Sequence, residues 1–249
     1  MNTEGRDARA HSAGVEAPLG PGLAVPGLFI TFEGGEGSGK TTQIKGLLAH
    51  LRATGRDAVE TRDPGGTPIG KQIRGLLLDP RNAGMATVAE LLLYEASRAQ
   101  VVHEVIRPAL AGGYTVLCDR FTDSTVAYQG YGRGLDLDLI AQLNALATEG
   151  LRPDLTVLLD LDPTVGLARA AQRVAQQQSR HDRIEEEVLT FHQRVRAGYQ
   201  AVAAAEPERV MVLDASRGVA EIGGDIRRRV DGLLRPFPSL PGSGSLTFG

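Results

Sequence analysis

The sequence predicts an α/β domain, a mostly parallel sheet of about five strands flanked by helices. Three observations lead there. Short apolar runs alternate with helix-period segments from Leu28 to Leu234, and a glycine-rich loop separates the first run from the first helix. The 249 residues, 42% of them apolar, suffice for one well-packed domain.

Leu28 to Phe32 is the first buried strand. The next helix starts near Lys40, carries Ile44, Leu47, Leu48 and Leu51 on one face, and stops near Gly55. Ala58 to Thr61 is a short second strand. Helices follow over Ile69 to Leu78 and from Ala86 to about Ala111, the latter broken or kinked by Pro108, which lacks an N–H. Thr115 to Cys118, Leu155 to Leu161 and Arg209 to Leu213 read as further inner strands. Between and after them lie helices at about Asp136 to Thr148, from Thr164 onward, and over Val219 to Leu234; Ile184-Glu185-Glu186-Glu187 is expected on another helix. In such alternating sheets ligands bind beyond the carboxyl ends of the strands.

Residues 1–26 contain Pro18, Pro21, Pro26 and four glycines without periodicity, and lack the basic segment and apolar run of a signal peptide. They are expected to form a flexible extension, with a similar tail over 236–249 and one domain over 27–235. No apolar stretch approaches the ~18 residues that span a bilayer, so a soluble cytoplasmic protein is expected. The net charge of -3 suggests neither a nucleic-acid nor a membrane partner. Cys118 alone excludes an intramolecular disulfide and reads as a small buried hydrophobe, and the five histidines, without ligand spacing, read as surface or helix-face residues.

Gly34-Gly35-Glu36-Gly37-Ser38-Gly39-Lys40-Thr41 fits G-x-x-x-x-G-K-[ST], a loop whose amides and following helix terminus cradle phosphates. With Thr42 it forms the expected ATP-binding set, Lys40 on the β/γ-phosphates and Thr41 on Mg²⁺. After the second strand, Arg62 stands at the ligand edge in Thr61-Arg62-Asp63-Pro64-Gly65-Gly66-Thr67. Asp63-x-x-Gly66 also fits a GTPase switch, but no Asn-Lys-x-Asp segment follows. After the third strand comes the polar cluster Asp119 to Gly130, where Asp119 is suited to magnesium waters and Arg120 to bridging phosphates. Asp160 and Asp162 end a similar strand; Asp119 is preferred for the metal, and Asp162-Pro163 reads as a helix start. The polar stretch from Arg169 to about residue 184 reads as a mobile lid able to bring a cation to a transferring phosphoryl group.

These segments, with L-L-L-Y-E-A-S-R-A-Q, D-R-F-T-D-S-T-V-A-Y-Q-G, D-R-I-E-E-E and F-H-Q-R-V-R-A-G-Y, closely resemble the bacterial type of thymidylate kinase from Leu28 to Leu234. The resemblance implies a P-loop NTPase fold with a mobile lid and phosphorylation of dTMP to dTDP by ATP and Mg²⁺, on the way to dTTP. It also implies a homodimer, built through the long helix near Ala86 to Ala111. It places Tyr94 against the thymine ring, Arg98 as donor to the base, Glu36 on the deoxyribose 3′-hydroxyl, and Arg62 and Arg74 on the monophosphate. Tyr128 crowds the 2′ position, with Arg120, Thr125 and Gln129 in the same acceptor set. The loop offers no arginine, so the catalytic cation comes from the lid; Arg169, Arg173 and Arg180 are the candidates, the interval being longer than usual. Two rivals remain, another nucleoside monophosphate kinase and a nucleotide-gated switch without acceptor chemistry.

Overall fold

The computed structural model describes residues 27–177 and 182–234. The expected extension and tail, and Arg180 of the lid, lie outside the described residues.

Five strands, β1 (Phe29–Glu33), β2 (Ala58–Arg62), β3 (Thr115–Asp119), β4 (Leu155–Asp160) and β5 (Val210–Asp214), form one sheet in the order β2-β3-β1-β4-β5. Every pairing is parallel, where a mostly parallel sheet was expected. Parallel strands need crossovers, and the inner strands β1, β3 and β4 are covered on both faces and largely apolar, whereas the edge strands β2 and β5 are partly exposed.

Side chains alternate across β1. Ile30 and Phe32 face one layer, packing with Ile44, Leu47 and Leu51 of α1 (Lys40–Ala53) and Ile222, Ile226 and Val230 of α9 (Val219–Leu233). Phe29 faces the other, meeting Val101 of α3 (Thr87–Val101) and Phe121, whose ring stands edge-on at 5.0 Å. Glu33 lies on this second side too, a carboxylate at the end of an apolar strand.

The predicted Ala86–Ala111 helix is three pieces. α3 runs into a π-helical turn, Val102–Ile106, and then α4 (Arg107–Ala111). Pro108 cannot donate to the preceding turn and its ring crowds that carbonyl; the widened turn accommodates both. α2 (Pro68–Leu78) starts with Thr67 Oγ1 accepting from Gly70 N, and α6 (Leu137–Thr148) with Asp136 accepting from Leu139 N. α7 (Pro163–Gln177) starts as Asp162-Pro163 suggested, Asp162 accepting from Thr164 N at 2.9 Å.

One expected helix is absent. Residues 183–186 form turns, and α8 (Leu189–Ala205) begins only beyond Glu187. Asp182 Oδ1 accepts from both Ile184 N and Glu185 N at 2.9 Å, as an N-cap would, but the turn it opens does not continue into a helix. A short α5 (Thr122–Thr125) and a π-helical turn, Val126–Gly132, follow β3 and were not anticipated. No helix among the described residues is long and apolar enough to cross a membrane.

Candidate active site

The chain leaves β1 toward β2 and leaves β3 toward β4, so a crevice opens at the carboxyl ends of these neighbouring strands. Both polar loops flank it. Lys40 is buried, its Nζ donating to Gly34 O and Gly35 O at 3.0 Å, so the loop folds around its own lysine. Burial, and then the nearby Arg120, bring its ammonium down to about 8.

The loop tip rests directly on the first turn of α7. A Cβ on Gly37, whose φ is +66°, would meet Gly166 O at 2.2 Å, and a Cβ on Gly166 would meet Glu36 O at 2.3 Å. Only glycine at both positions allows that contact.

Arg120 follows β3 at φ 69°, a left-handed conformation that costs an L-residue about 1–2 kcal/mol. The conformation brings its guanidinium to Gly34 O (3.0 Å), Tyr199 Oη (2.9 Å) and Glu36 Oε1 (2.8 Å), 4.9 Å above the Tyr128 ring. Tyr128 Oη also donates to Glu36 Oε1, at 3.0 Å. Burial opposes ionisation of Glu36, but Arg120, Lys40 and this hydroxyl outweigh it and hold the carboxyl at about 2.

Two cavities meet at this Glu36–Arg120 pair. One, of about 530 Å³, is lined by Tyr94, Arg98, Thr125, Tyr128, Gln129, Arg74 and Ile184 among others. The other, of about 1190 Å³, runs over the phosphate loop to Thr41, Thr42, Arg62, Arg74, Asp119, Arg169 and Arg173. Arg74 is depressed first by burial and then by Arg62, with Arg120 adding to it. That crowding of cations suits an anion between them.

The structure therefore brings nearly all the sequence-predicted residues together. Tyr94 and Arg98, one turn apart on α3, both line the smaller cavity. Arg98 departs from expectation in one respect: it is not a free donor. Its N–H groups go to Asp63, Glu95, Asn144, Phe121 O and Thr125 Oγ1, and it is 1% exposed. A guanidinium has five N–H groups, and five acceptors occupy them.

Of the lid candidates, Arg169 Nη1 reaches Ala215 O at 3.3 Å and Arg173 Nη2 pairs with Glu185 at 2.5 Å. Asp160 is gripped by Arg196 through two bonds of 2.7 and 2.9 Å, whereas Asp119 Oδ1 is buried without a partner beside the loop cleft. An unpaired carboxylate oxygen and a threonine hydroxyl suit magnesium, which takes one or two protein ligands and otherwise water and phosphate. No group of three or more His, Cys, Asp or Glu suited to a metal occurs among the described residues.

Sequence reasoning missed the support behind Arg120. Glu33, fully buried, accepts from Phe121 N (2.7 Å), Ser124 Oγ (2.6 Å) and Tyr199 Oη (3.0 Å). The two hydroxyls also contact Arg120. Burial, and then Asp123, push Glu33 up to about 7. A glutamate closing the run Phe-Ile-Thr-Phe-Glu was the available clue. His192, read as a surface or helix-face residue, is buried on α8, its Nε2 without a partner. Cys118 is fully buried, as expected.

The family model described as thymidylate kinase matches residues 32–226. The chain is 59% identical over 191 residues to the thymidylate kinase of Solidesulfovibrio magneticus, covering 76% of this chain and 91% of that one. It is 56% identical over 200 residues to that of Deinococcus radiodurans, covering 80% and 94%. Among solved structures, it is similar to the crystal structure of thymidylate kinase from Ehrlichia chaffeensis, with 35% identity and a TM-score of 0.65, covering 83% of this chain and 99% of the other.

Proposed function

The chain belongs to the thymidylate kinase family, and from that premise we propose how its cleft phosphorylates dTMP to dTDP with ATP as phosphoryl donor. The triphosphate lies along residues 34–42, where Lys40 exchanges its carbonyl contacts for phosphate oxygens. Thr41 and Asp119 are the residues that would hold Mg²⁺, which when bound neutralises charge on the β- and γ-phosphates.

The smaller cavity takes dTMP. Tyr94 packs against the thymine, and Thr125 and Gln129 face its polar edge. Arg98 serves the base by yielding its longest contact, 3.3 Å to Phe121 O. Arg120 and Tyr128 both donate to Glu36 Oε1, and Glu36 Oε2 is the atom for the 3′-hydroxyl. Tyr128 closes the 2′ side against a ribose. Arg62, Arg74 and Arg120 hold the monophosphate, already largely dianionic at neutral pH with a second pKa near 6, by analogy with phosphorylated side chains, so no strong general base is needed. Positioning and charge neutralisation do most of the catalysis, with Arg169, Arg173 and Arg180 as candidates for the cation on the transferred group.

One observation carries this reading: the acceptor cavity and the phosphate-loop cleft share Glu36 and Arg120 as a common wall. The test is ADP release at fixed ATP with dTMP, dUMP, dCMP and dGMP. Preferred turnover of dTMP is expected; preference for another monophosphate points to a different kinase specificity. Slow hydrolysis unaffected by any acceptor would indicate a nucleotide switch.

The reading extends to a cytoplasmic homodimer. Val88 and Leu92 on α3 and Leu139 and Leu146 on α6 are exposed, and the two helices pack side by side. Sedimentation analysis giving twice the chain mass is the expected result.

A further inference from the structure

A deeply buried charge cluster outside the reacting groups centres on Glu90, in the first turn of α3 and 1% exposed. Its Oε1 accepts from Gln129 Nε2 at 2.9 Å and Arg133 Nε at 3.1 Å. Its Oε2 accepts from Arg133 Nη2 at 3.1 Å and from Arg183 Nη2. Four donors fill one carboxylate, whose two oxygens offer about four lone-pair sites.

Those donors come from segments with different tasks. Gln129 lines the acceptor cavity. Arg183 belongs to the turn where the lid region returns to the body, and it docks that turn onto α2: Nε donates to Leu77 O at 2.8 Å and its amide to Leu78 O at 3.0 Å. Leu78 and Ile184 themselves line the cavity. Arg133 joins the two groups, pairing with Glu187 beyond the turn and lying 4.6 Å above the Phe191 ring at the start of α8.

The carboxylate also dictates which way the Gln129 amide faces. Only its NH₂ end can meet an ionised acceptor, so Oε1 points elsewhere on the same side chain. Thymine carries a proton on N3 and cytosine does not; an amide held oxygen-outward suits the first, and a flipped amide suits the second.

We propose that Glu90 is a positioning residue that fixes the Gln129 amide for a thymine-type base and ties the lid-return turn to that same base-reading group. This rests on the dTMP reading of the acceptor cavity. Occupancy of the base pocket and docking of the 182–187 turn are then linked through one buried charge.

The experiment measures kcat and KM for dTMP and dCMP, KM for ATP, and hydrogen exchange at the Arg183 amide with and without dTMP. It uses the full chain, Glu90→Gln and Arg183→Met. In Glu90→Gln the dTMP-over-dCMP ratio of kcat/KM is expected to fall about tenfold or more, through KM for dTMP, with KM for ATP unchanged. dTMP should protect the Arg183 amide in the full chain and lose that effect in Glu90→Gln. Arg183→Met, which keeps Gln129 on Glu90, is expected to lower the same ratio by a smaller factor. If Glu90→Gln does not fold, Arg183→Met decides. A ratio at the unmodified level in the folded variants, with only thermal stability reduced, overturns the proposal and leaves Glu90 a structural residue. An unmodified chain that does not turn over dTMP instead overturns the acceptor reading.

Discussion

Gly166→Ala tests the backbone contact between α7 and the phosphate loop. A new Cβ would stand 2.3 Å from Glu36 O, where ordinary contact needs about 3.4 Å, so one backbone must retreat by about 1 Å. If the loop yields, Glu36 moves away from Arg120 and Tyr128. If the helix yields, Arg169 and Arg173 move instead. Misplacement by 1 Å costs up to about 10²-fold in rate, and either route reaches the reaction. The same substitution improves helix propensity by about 1 kcal/mol, which offsets part of the strain. Activity should therefore fall far more than stability: kcat/KM in a coupled ADP-release assay down about 10- to 100-fold, and Tm changed by only a few degrees. Gly46→Ala is the control, exposed in the middle of α1 with nothing within 4 Å of the added carbon. It should raise Tm by about 2–4 °C at unchanged kcat/KM. Full activity in Gly166→Ala would show that the close approach has no catalytic consequence.

Three other outcomes follow from the buried charges. Arg98→Ala strands Asp63 and Glu95, both buried, and should lower stability by about 3–5 kcal/mol, or roughly 10 °C in Tm; an unchanged Tm with only a raised KM for dTMP would contradict this. Glu33 keeps its proton in the folded state up to about 7, while the unfolded chain releases it near 4.5, so its contribution to stability declines as pH rises between those values and is level above. Glu33→Gln should lack that decline, and identical Tm–pH slopes between pH 5 and 8 in both proteins would exclude the effect. Lys40, at about 8, loses its ammonium above that pH in the free enzyme, so kcat/KM for ATP should fall there; a flat profile to pH 9 would argue against a phosphate-binding role.

The inner strands β1, β3 and β4 were legible because each is a largely apolar run bounded by turn residues, and each came within a residue of its observed limits. The turn at 183–186 was not, because Ile-Glu-Glu-Glu has good helix propensity. What defeats it is tertiary: Arg183 is drawn into Glu90 and onto Leu77 O and Leu78 O of α2, which holds the segment as a turn although Asp182 caps it as it would a helix. The spacing of Tyr94 and Arg98 correctly put both on one pocket. It carried no information about occupancy, and Asp63, Asn144 and Phe121, which claim the Arg98 donors, lie 23 to 46 residues away.

The composition holds a clue to the interior that motif reading passes over. All but three of the 27 basic residues are arginine, and Lys45 and Lys71 are exposed. Glu33, Asp63, Glu90, Glu95 and Asp123 are all buried, and Glu90, Asp63, Glu95 and Asp123 are paired directly with Arg98, Arg133, Arg183 or Arg209. A planar fork can meet several acceptors at once, as Arg98 does with five, whereas an ammonium offers three hydrogens from one point. In the interior an incompletely matched acid is costly, and arginine lets one cation meet two acids, as Arg98 does with Asp63 and Glu95. The phosphate loop poses the opposite problem, since its own amides supply the directional bonds and only a compact charge fits beneath Gly34 and Gly35. There the chain places its one buried lysine. Exchanges in both directions, Arg98→Lys and Lys40→Arg, should therefore fail for different reasons. The first leaves acceptors unmet and lowers Tm; the second overfills the loop and lowers ATP turnover with Tm nearly intact. Equal loss of Tm in both would mean that geometry does not govern the choice of cation here.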